Sequence, residues 1–443
     1  MSLTPAQELA VTTILSAVHN GEKVVQLAGP PGVGKTFALK YILRKIPYHL
    51  TSICAPTHKA AKVLAKALDS NSVGTIHSLL GARQSYSATG GMKWSFDVSK
   101  VNSLFIVIDE ASMVTAELYD QLMGIPNAQI ITSGDPCQLP PVEESEDFGV
   151  VSPFYEHHPV TVSLTENIRN TRKPFNALLN VIRDCILNSS KVTARTVQFM
   201  LREHLDADHI DRYLLYGTKR YPDKKEVALD QLLRQYQDGD AVLAFRTGQK
   251  KNTVGELNTH LRRILYPSAI DEYQPGEKLM FETNYPKKKY YTCDVVRVQE
   301  VTTKEFRVEG SQGEISLLRG YELDISRSKT TLCRIAQEDI PVFKQIAAKR
   351  RVQIRDLVKN KSGKADDLWT AYYEWEYGLN APVCYAYAIS VHKSQGSSYD
   401  NIQLYLTDFL WMLYDENNLA KQMYFLRLLY TAISRSRGNV FIA

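Results

Sequence analysis

The sequence predicts an α/β protein built on parallel sheets, and three observations carry that prediction. The first is the run Gly29-Pro30-Pro31-Gly32-Val33-Gly34-Lys35-Thr36, of the form G-x-x-x-x-G-K-T. It lies between an apolar strand pattern, Val24 to Ala28, and a helix pattern that starts at Phe37. The second is a series of apolar runs separated by helical patterns: Leu50 to Ala55, Leu104 to Ile108 and Ala128 to Thr132. Strands buried on both faces of a parallel sheet read this way. The third is a polar cluster after each run: Pro56-Thr57-His58-Lys59, then Asp109-Glu110, then Gly134-Asp135-Pro136-Cys137-Gln138. In such sheets the active groups sit at the carboxyl ends of the strands.

Composition sets the frame. A chain of 443 residues that is 44% hydrophobic and 23% charged is a soluble globular protein of two or more domains. The net charge of +5 is too small to identify a nucleic-acid binder, so any basic footprint must be local. The six cysteines form no Cys-x-x-Cys pair, which argues against a zinc ribbon and against a disulfide framework. No secretory leader is read at Met1 to Pro5, and no apolar run approaches the roughly 18 residues of a membrane span. The cytoplasm, or a host's cytoplasm for a phage-encoded chain, is the expected location, without membrane contact.

In chain order, Thr4 and Pro5 open a helix as N-cap and first helical residue. Gln7 lies on it. The residue reads equally as a surface glutamine or as a reader of adenine, because its amide is donor and acceptor together. In the phosphate-loop pattern, Gly29, Gly32 and Gly34 let backbone N–H groups point inward at an anion. The following helix adds its positive N-terminal end. Lys35 is placed to reach the β- and γ-phosphates of ATP, and the Thr36 hydroxyl to ligate Mg²⁺. Asp109 adds a carboxylate for Mg²⁺ and Glu110 a general base for the attacking water. The plainer reading of that pair is a helix cap. Gln138, in a Pro- and Gly-rich turn, is a candidate sensor of the γ-phosphate.

Between these segments, Arg83 to Ala88 and Met92 to Phe96 flank Thr89-Gly90-Gly91 and read as a β-hairpin. Met92, Trp94 and Phe96 share one face. Two readings stay open: a wedge that splits base pairs, with Met92 and Trp94 at its edge, or aromatics packed down on the protein.

Four runs then carry a resemblance: Ala55 to Lys62 (Ala-Pro-Thr-His-Lys-Ala-Ala-Lys), Thr75-Ile76-His77-Ser78-Leu79-Leu80, Asp109-Glu110-Ala111-Ser112, and Gly134 to Val142. Together they resemble superfamily 1 helicases, most of all the B branch, the RecD/Dda-like type. The resemblance implies two RecA-like (P-loop NTPase) parallel-sheet motor domains, the first from residues 1–80 and 101–165. It implies a wedge hairpin at 81–100, a second motor domain from 166–250 and 382–443, and an SH3-like barrel with a helical tower at 251–381. It also implies 5′-to-3′ travel on single-stranded DNA with unwinding of the duplex. The competing reading is a DNA-stimulated ATPase or translocase subunit that does not itself unwind.

The second half supplies the matching motifs. Leu164 to Arg169 resembles motif IV, which would place Arg169 at the γ-phosphate. Leu429 to Arg437 resembles motif VI, with Arg435 in the place of the arginine finger. Ser390 to Asp400 resembles motif V, whose Gln395-Gly396 turn approaches ATP. Ser398 stands where many relatives carry a ribose-binding Glu. For DNA the resemblance implies Thr57, His58, Thr75 and His77 from one half and Thr247, Asn258, Ser390, His392 and Lys393 from the other. Within 251–381, alternating runs at Val295 to Val298, Glu305 to Val308 and Ile315 to Leu318 predict short barrel strands. A basic helix pattern, Glu338 to Lys359, precedes an aromatic one that carries Trp369, Tyr372, Tyr373, Trp375 and Tyr377. The implied partners are single-stranded and forked DNA, with a single-stranded-DNA-binding protein or replication proteins beyond them. The expected state is a monomer, and the expected setting is DNA replication, repair or recombination.

Overall fold

The computed structural model describes residues 2–141, 148–156, 160–166, 173–205, 233–247, 253–285, 289–325, 330–360 and 364–442. The chain divides into two compact units. One takes the chain through Gly81, Asp97–Leu257 and everything from Tyr387 on; the other takes Ala82–Phe96 and Asn258–Ala386.

The first unit begins with helix α1 (Pro5–His19), capped by the Thr4 hydroxyl. Strand β1 (Val24–Ala28) and helix α2 (Lys35–Leu43) flank the glycine-rich loop. Then come β2 (Thr51–Ala55), α3 (His58–Leu68), β3 (Val73–Thr75) and the single turn α4 (Ile76–Leu79). After the hairpin of β4 (Arg83–Tyr86) and β5 (Met92–Ser95), the chain adds β6 (Phe105–Ile108), α5 (Ala116–Met123), β7 (Gln129–Gly134), α6 (Pro153–Glu156) and β8 (Val160–Ser163). The six strands form one parallel sheet in the order β3-β2-β6-β7-β1-β8. Its inner strands are buried along most of their length because helices cover the sheet. Ile14, Leu39 and Ile42 from α1 and α2 close over Leu27, Val107 and Ile131. A second parallel sheet, β15-β9-β16-β17, follows from β9 (Ala241–Ala244), β15 (Ala388–Ser390), β16 (Ile402–Leu404) and β17 (Val440–Ile442). Helix α7 (Lys173–Leu187) packs on the last helix, Leu419–Ile433, beside it. All six cysteines are free.

The second unit departs from the expected short-strand barrel. Its five strands form an antiparallel sheet, β13-β12-β11-β10-β14, from β10 (Lys278–Phe281), β11 (Val295–Glu309), β12 (Ile315–Ile325), β13 (Thr330–Ile335) and β14 (Val383–Tyr385). The expected breaks between Val298 and Glu305 are absent: one strand of 15 residues runs through. The polar stretch after Val298 reads as a turn, yet it is an exposed length of ribbon with a register irregularity at Val298/Glu300. Phe306, Val308, Leu318 and Ile335 form a core with Phe343 and Ile346 of the helix Ile340–Lys359.

The helix Ala365–Leu379 carries the aromatic pattern, and it holds the hairpin. The rings of Tyr86 and Tyr373 stack at 5.3 Å. The Tyr86 N–H donates to Asp366 Oδ1 at 2.6 Å, and the Tyr373 hydroxyl donates to the Gly90 carbonyl at 3.2 Å. Gly90 has φ of +86°, and a Cβ there would come within 2.8 Å of the Trp369 ring, so no larger residue fits. Met92 and Trp94, by contrast, are 51% and 38% exposed. The basic residues beside this helix are partly engaged with it: Arg351 Nε donates to the Tyr372 hydroxyl at 2.7 Å, and Arg350 lies 4.3 Å above the Trp375 ring.

Candidate functional site

The glycine-rich loop is shaped by backbone that side chains disfavour. Gly29, Gly32 and Gly34 have φ of +157°, +91° and +81°. A Cβ on Gly29 would sit 2.4 Å from the Leu164 carbonyl oxygen, so the loop closes against the end of β8 only because Gly29 has none. Lys35 folds back over the loop, its Nζ donating to the carbonyls of Gly29 at 2.7 Å and Pro30 at 3.0 Å. Burial lowers its pKa, and Asp135, Glu110 and Asp109 pull it back up. Thr36 follows it in the first turn of α2.

Gln7 is buried rather than at the surface. Its Nε2 donates to the Val33 carbonyl at 3.1 Å, and its Oε1 accepts from the Thr4 N–H at 3.0 Å. The same amide therefore caps α1 and pins the loop.

Asp109 and Glu110 follow β6 directly. Glu110 does not cap the next turn: its φ is +57° and its side chain makes no cap hydrogen bond. A non-glycine residue in that region is strained, and such strain collects at functional sites. Burial raises the Glu110 carboxyl pKa, with Asp109 adding to it and Arg435 and Lys35 opposing it. Burial also raises that of Asp109, against the Lys35 charge. Carboxylate oxygens after β6 and a hydroxyl in the first turn of α2 are the hard donors that suit Mg²⁺.

The turn after β7 reaches the second sheet's helices. Asp135 is 0% exposed. Its Oδ1 pairs with Arg183 of α7 and accepts from the Cys137 N–H, and its Oδ2 accepts from the Tyr430 hydroxyl at 2.6 Å. Burial lowers the Arg183 pKa, but Asp135, Cys137 and Tyr430 together with the hydrogen bond to Asp135 outweigh it and hold the guanidinium above its ordinary range. Arg427 donates to the carbonyls of Pro136 and Gln138. The Leu139 N–H donates to Thr431 Oγ1 at 3.1 Å, and Gln395 Nε2 to the Leu139 carbonyl at 3.3 Å. Arg435 Nη2 donates to Gln138 Oε1 at 3.1 Å, which brings the two predicted residues together. Gly396, with φ of +72°, lies against Ala60 of α3. Arg437 instead makes a loose pair with Asp400 at 3.6 Å, both largely exposed. Arg169 lies outside the described residues.

Thr57, Thr75 and Ser390 each cap a helix that starts at the carboxyl end of a strand. His58 is half-buried in the first turn of α3. His77 is half-buried and its pKa is lowered by burial, against a raising pull from Glu117. His392 Nε2 bonds the Tyr424 hydroxyl at 2.7 Å, and burial lowers its pKa to about 4, so the ring is neutral. The Lys393 carbonyl accepts from Lys59 Nζ at 2.7 Å. Thr247 is exposed at the end of β9. Asn258 is only 3% exposed, so its amide does not stand at the surface.

Sequence reasoning missed Arg183, Tyr430 and Arg427, and it gave Asp135 no role. No local signal marks the three partners. Asp135 alone was visible, as an acid in a polar cluster after an apolar run.

Two families match this chain: AAA domain over residues 2–198 and UvrD-like helicase C-terminal domain over 385–443. The ATP-dependent DNA helicase dda of Enterobacteria phage T4 is 26% identical over 474 residues, covering 99% of this chain and 98% of its own. The uncharacterized protein R530 of Acanthamoeba polyphaga mimivirus is 24% identical, covering 91% of this chain and 93% of its own. Among solved structures, Pif1 helicase from Bacteroides in complex with ADP-AlF3 and ssDNA matches with a TM-score of 0.50 at 19% identity. That match covers 100% of this chain and 92% of the other, and it shows that the two share a fold. Along nearly its whole length the chain is thus similar to proteins named ATP-dependent DNA helicase, Dda of phage T4 and Pif1 of Bdellovibrio bacteriovorus.

Proposed function

We propose that this protein is an ATP-dependent DNA helicase that travels 5′-to-3′ on single-stranded DNA and unwinds duplex. The two parallel sheets are the cores of its two motor domains, from residues 1–80 with 101–165 and from 166–250 with 382–443. Residues 81–100 are the wedge, and 251–381 form the domain that braces it. One observation carries this reading: Arg435, from the turn after the last helix, meets Gln138, from the turn after β7, across the seam between the two sheets. An ATPase that hydrolyses in place has no need to build its site from two halves.

In this mechanism the loop of Gly29, Gly32 and Gly34 binds the phosphates of ATP, with Lys35 on the β- and γ-phosphates. Thr36 and Asp109 would hold Mg²⁺, which neutralises phosphate charge. Glu110 takes a proton from the attacking water; burial raises its pKa, which makes the carboxylate a stronger base. Arg435, with Arg169, stabilises charge on the transferring phosphoryl group. Gln138 and Gly396 carry the state of the nucleotide to the DNA-binding surface. Thr57, His58, Thr75 and His77 grip the strand from one half, and Thr247, Ser390, His392 and Lys393 from the other. Alternating grip turns cleft closure into steps. The exposed side chains of Met92 and Trp94 support the wedge reading over the packed one.

Strand displacement on forked duplexes with either a 5′ or a 3′ single-stranded tail tests this. Unwinding is expected on the 5′-tailed substrate. Activity only on the 3′-tailed one overturns the direction, and DNA-stimulated hydrolysis without displacement favours a translocase.

A further inference from the structure

Tyr155 is a residue that none of the sequence motifs includes. It lies on the short helix α6, which packs against the turn Ala111–Met113 that follows Glu110. Its hydroxyl is buried and has no hydrogen-bond partner among the described residues. A buried donor left unpaired costs about 1–3 kcal/mol, so a partner in another state of the site is the economical explanation.

The hydroxyl's place is defined by Gly134. A Cβ built on that glycine would lie 2.3 Å from the Tyr155 oxygen and 3.1 Å from the Ala111 nitrogen, so oxygen and nitrogen flank one point. Ala111 follows Glu110 in the chain. Three carboxylates face this region. Asp135 has both oxygens engaged, by Arg183 and the Cys137 N–H on one and the Tyr430 hydroxyl on the other. Asp109 is held by the Glu110 N–H and the Lys35 charge. Glu110 has charged neighbours but no hydrogen-bond donor among the described residues. The unpaired Tyr155 hydroxyl thus lies within electrostatic reach of the Glu110 carboxylate. Burial, with the field of Asp135, Glu110 and Asp109 added, keeps the phenol protonated, so its hydrogen is available to a carboxylate.

We propose that in the hydrolysis-competent state the Tyr155 hydroxyl donates a hydrogen bond to the Glu110 carboxylate and so positions the general base. Tyr155 is a positioning residue; no bond is made or broken at it. The inference rests on the reading of Glu110 as base.

The test is Tyr155→Phe in the full chain, with DNA-stimulated hydrolysis measured as kcat and KM. The ring still fills its site. The expected result is a roughly tenfold fall in kcat, with KM for ATP and DNA affinity unchanged. Tyr155→Phe in a Glu110→Gln background is expected to have no further effect. An unchanged kcat overturns the proposal. So does a fall in kcat that comes with a raised KM, or a further fall in the Glu110→Gln background. Glu110→Gln alone separates the two readings: if it still hydrolyses ATP at the native rate, the base assignment fails independently of Tyr155.

Discussion

Asparagine at position 135 keeps the shape of the buried aspartate and removes its charge. Its consequence is set by what surrounds it. Asp135 is fully buried, pairs with Arg183, whose side chain is 15% exposed, and accepts from the Tyr430 hydroxyl and the Cys137 N–H. Removing one partner of a buried ion pair leaves the other charge uncompensated and costs about 3–5 kcal/mol. A lost hydrogen bond to a charged group costs about 1.5–3 kcal/mol, so Tyr430→Phe should weaken the same cluster less than Asp135→Asn. The cost is local, and amide hydrogen exchange reads it locally. The Cys137 N–H is bonded to Asp135 itself and the Leu139 N–H to Thr431, so both report on the turn. Their protection is expected to fall roughly a hundred- to several-thousandfold in Asp135→Asn, the factor that about 3–5 kcal/mol implies. Arg183→Met should cost a similar amount, and the double variant less than the two together, with a coupling of at least about 2 kcal/mol. Additive effects, or protection within threefold of native in Asp135→Asn, would refute the claim that this pair ties the turn to the helices of the second sheet.

Glu110→Gln should lower DNA-stimulated hydrolysis at least a hundredfold, the usual range for a lost general base, while ATP still binds; single-turnover hydrolysis and nucleotide-binding titration together check this. Deleting Ser87 to Met92 should abolish strand displacement on a forked duplex and leave DNA-stimulated hydrolysis intact; persistent displacement removes the wedge assignment. His392 gives a stability prediction. Its folded pKa of about 4 lies below the ordinary imidazole value of 6.5, so the unfolded chain binds the proton more readily. Its contribution to stability is complete above pH 6.5, falls as pH drops below it, and is gone near pH 4, with an upper bound of about 3 kcal/mol. His392→Asn should flatten that part of the unfolding profile, measured as denaturation midpoint against pH; an unaltered slope between those values counts against a buried neutral ring.

What the sequence revealed and what it concealed divide along sequence distance. The loop at Gly29 to Thr36 and the acids after β6 are local patterns, and each lies within one strand–turn–helix unit. The parallel core was legible for the same reason, since each inner strand is centred on a short apolar run. The Asp135 cluster was not legible. Its bonds join residues 48 and 295 positions apart, and Arg183 and Tyr430 sit in helices whose patterns read only as packing faces. Tyr155 was hidden because a buried hydroxyl without a partner has no sequence signature. The second unit failed differently. Alternation stops where a ribbon leaves the core, so the exposed middle of β11 imitated a turn and one long strand read as two. The left-handed backbone at Glu110 was invisible too, because only glycine advertises such a conformation.

Gln7 shows how the structure sharpens an open reading into a discriminating experiment. A glutamine amide has two N–H donors and an oxygen with two acceptor sites. One donor goes to the Val33 carbonyl and one acceptor site to the Thr4 N–H. These two bonds fix which end of the amide is oxygen. They leave one N–H and one lone pair, the complement of the N7 and N6–H edge of adenine. Anchoring the loop and reading the base are therefore compatible, and the first pre-orients the second. Gln7→Glu keeps the acceptor that caps α1 but loses both donors. It should leave the cap intact, release Val33 and raise KM for ATP about tenfold, the scale of one lost hydrogen bond to a charged or closely held partner. Gln7→Ala should also lose the cap, at about 1 kcal/mol of stability. The comparison nucleotide is GTP, whose six-membered ring offers a carbonyl where adenine offers N6–H. If Gln7 only anchors the loop, both variants raise KM for ATP and GTP by the same factor. If it also reads the base, the penalty falls on ATP and the preference for ATP over GTP shrinks, which is the outcome the spare valences lead us to expect. Equal penalties in Gln7→Glu would reduce Gln7 to a structural cap.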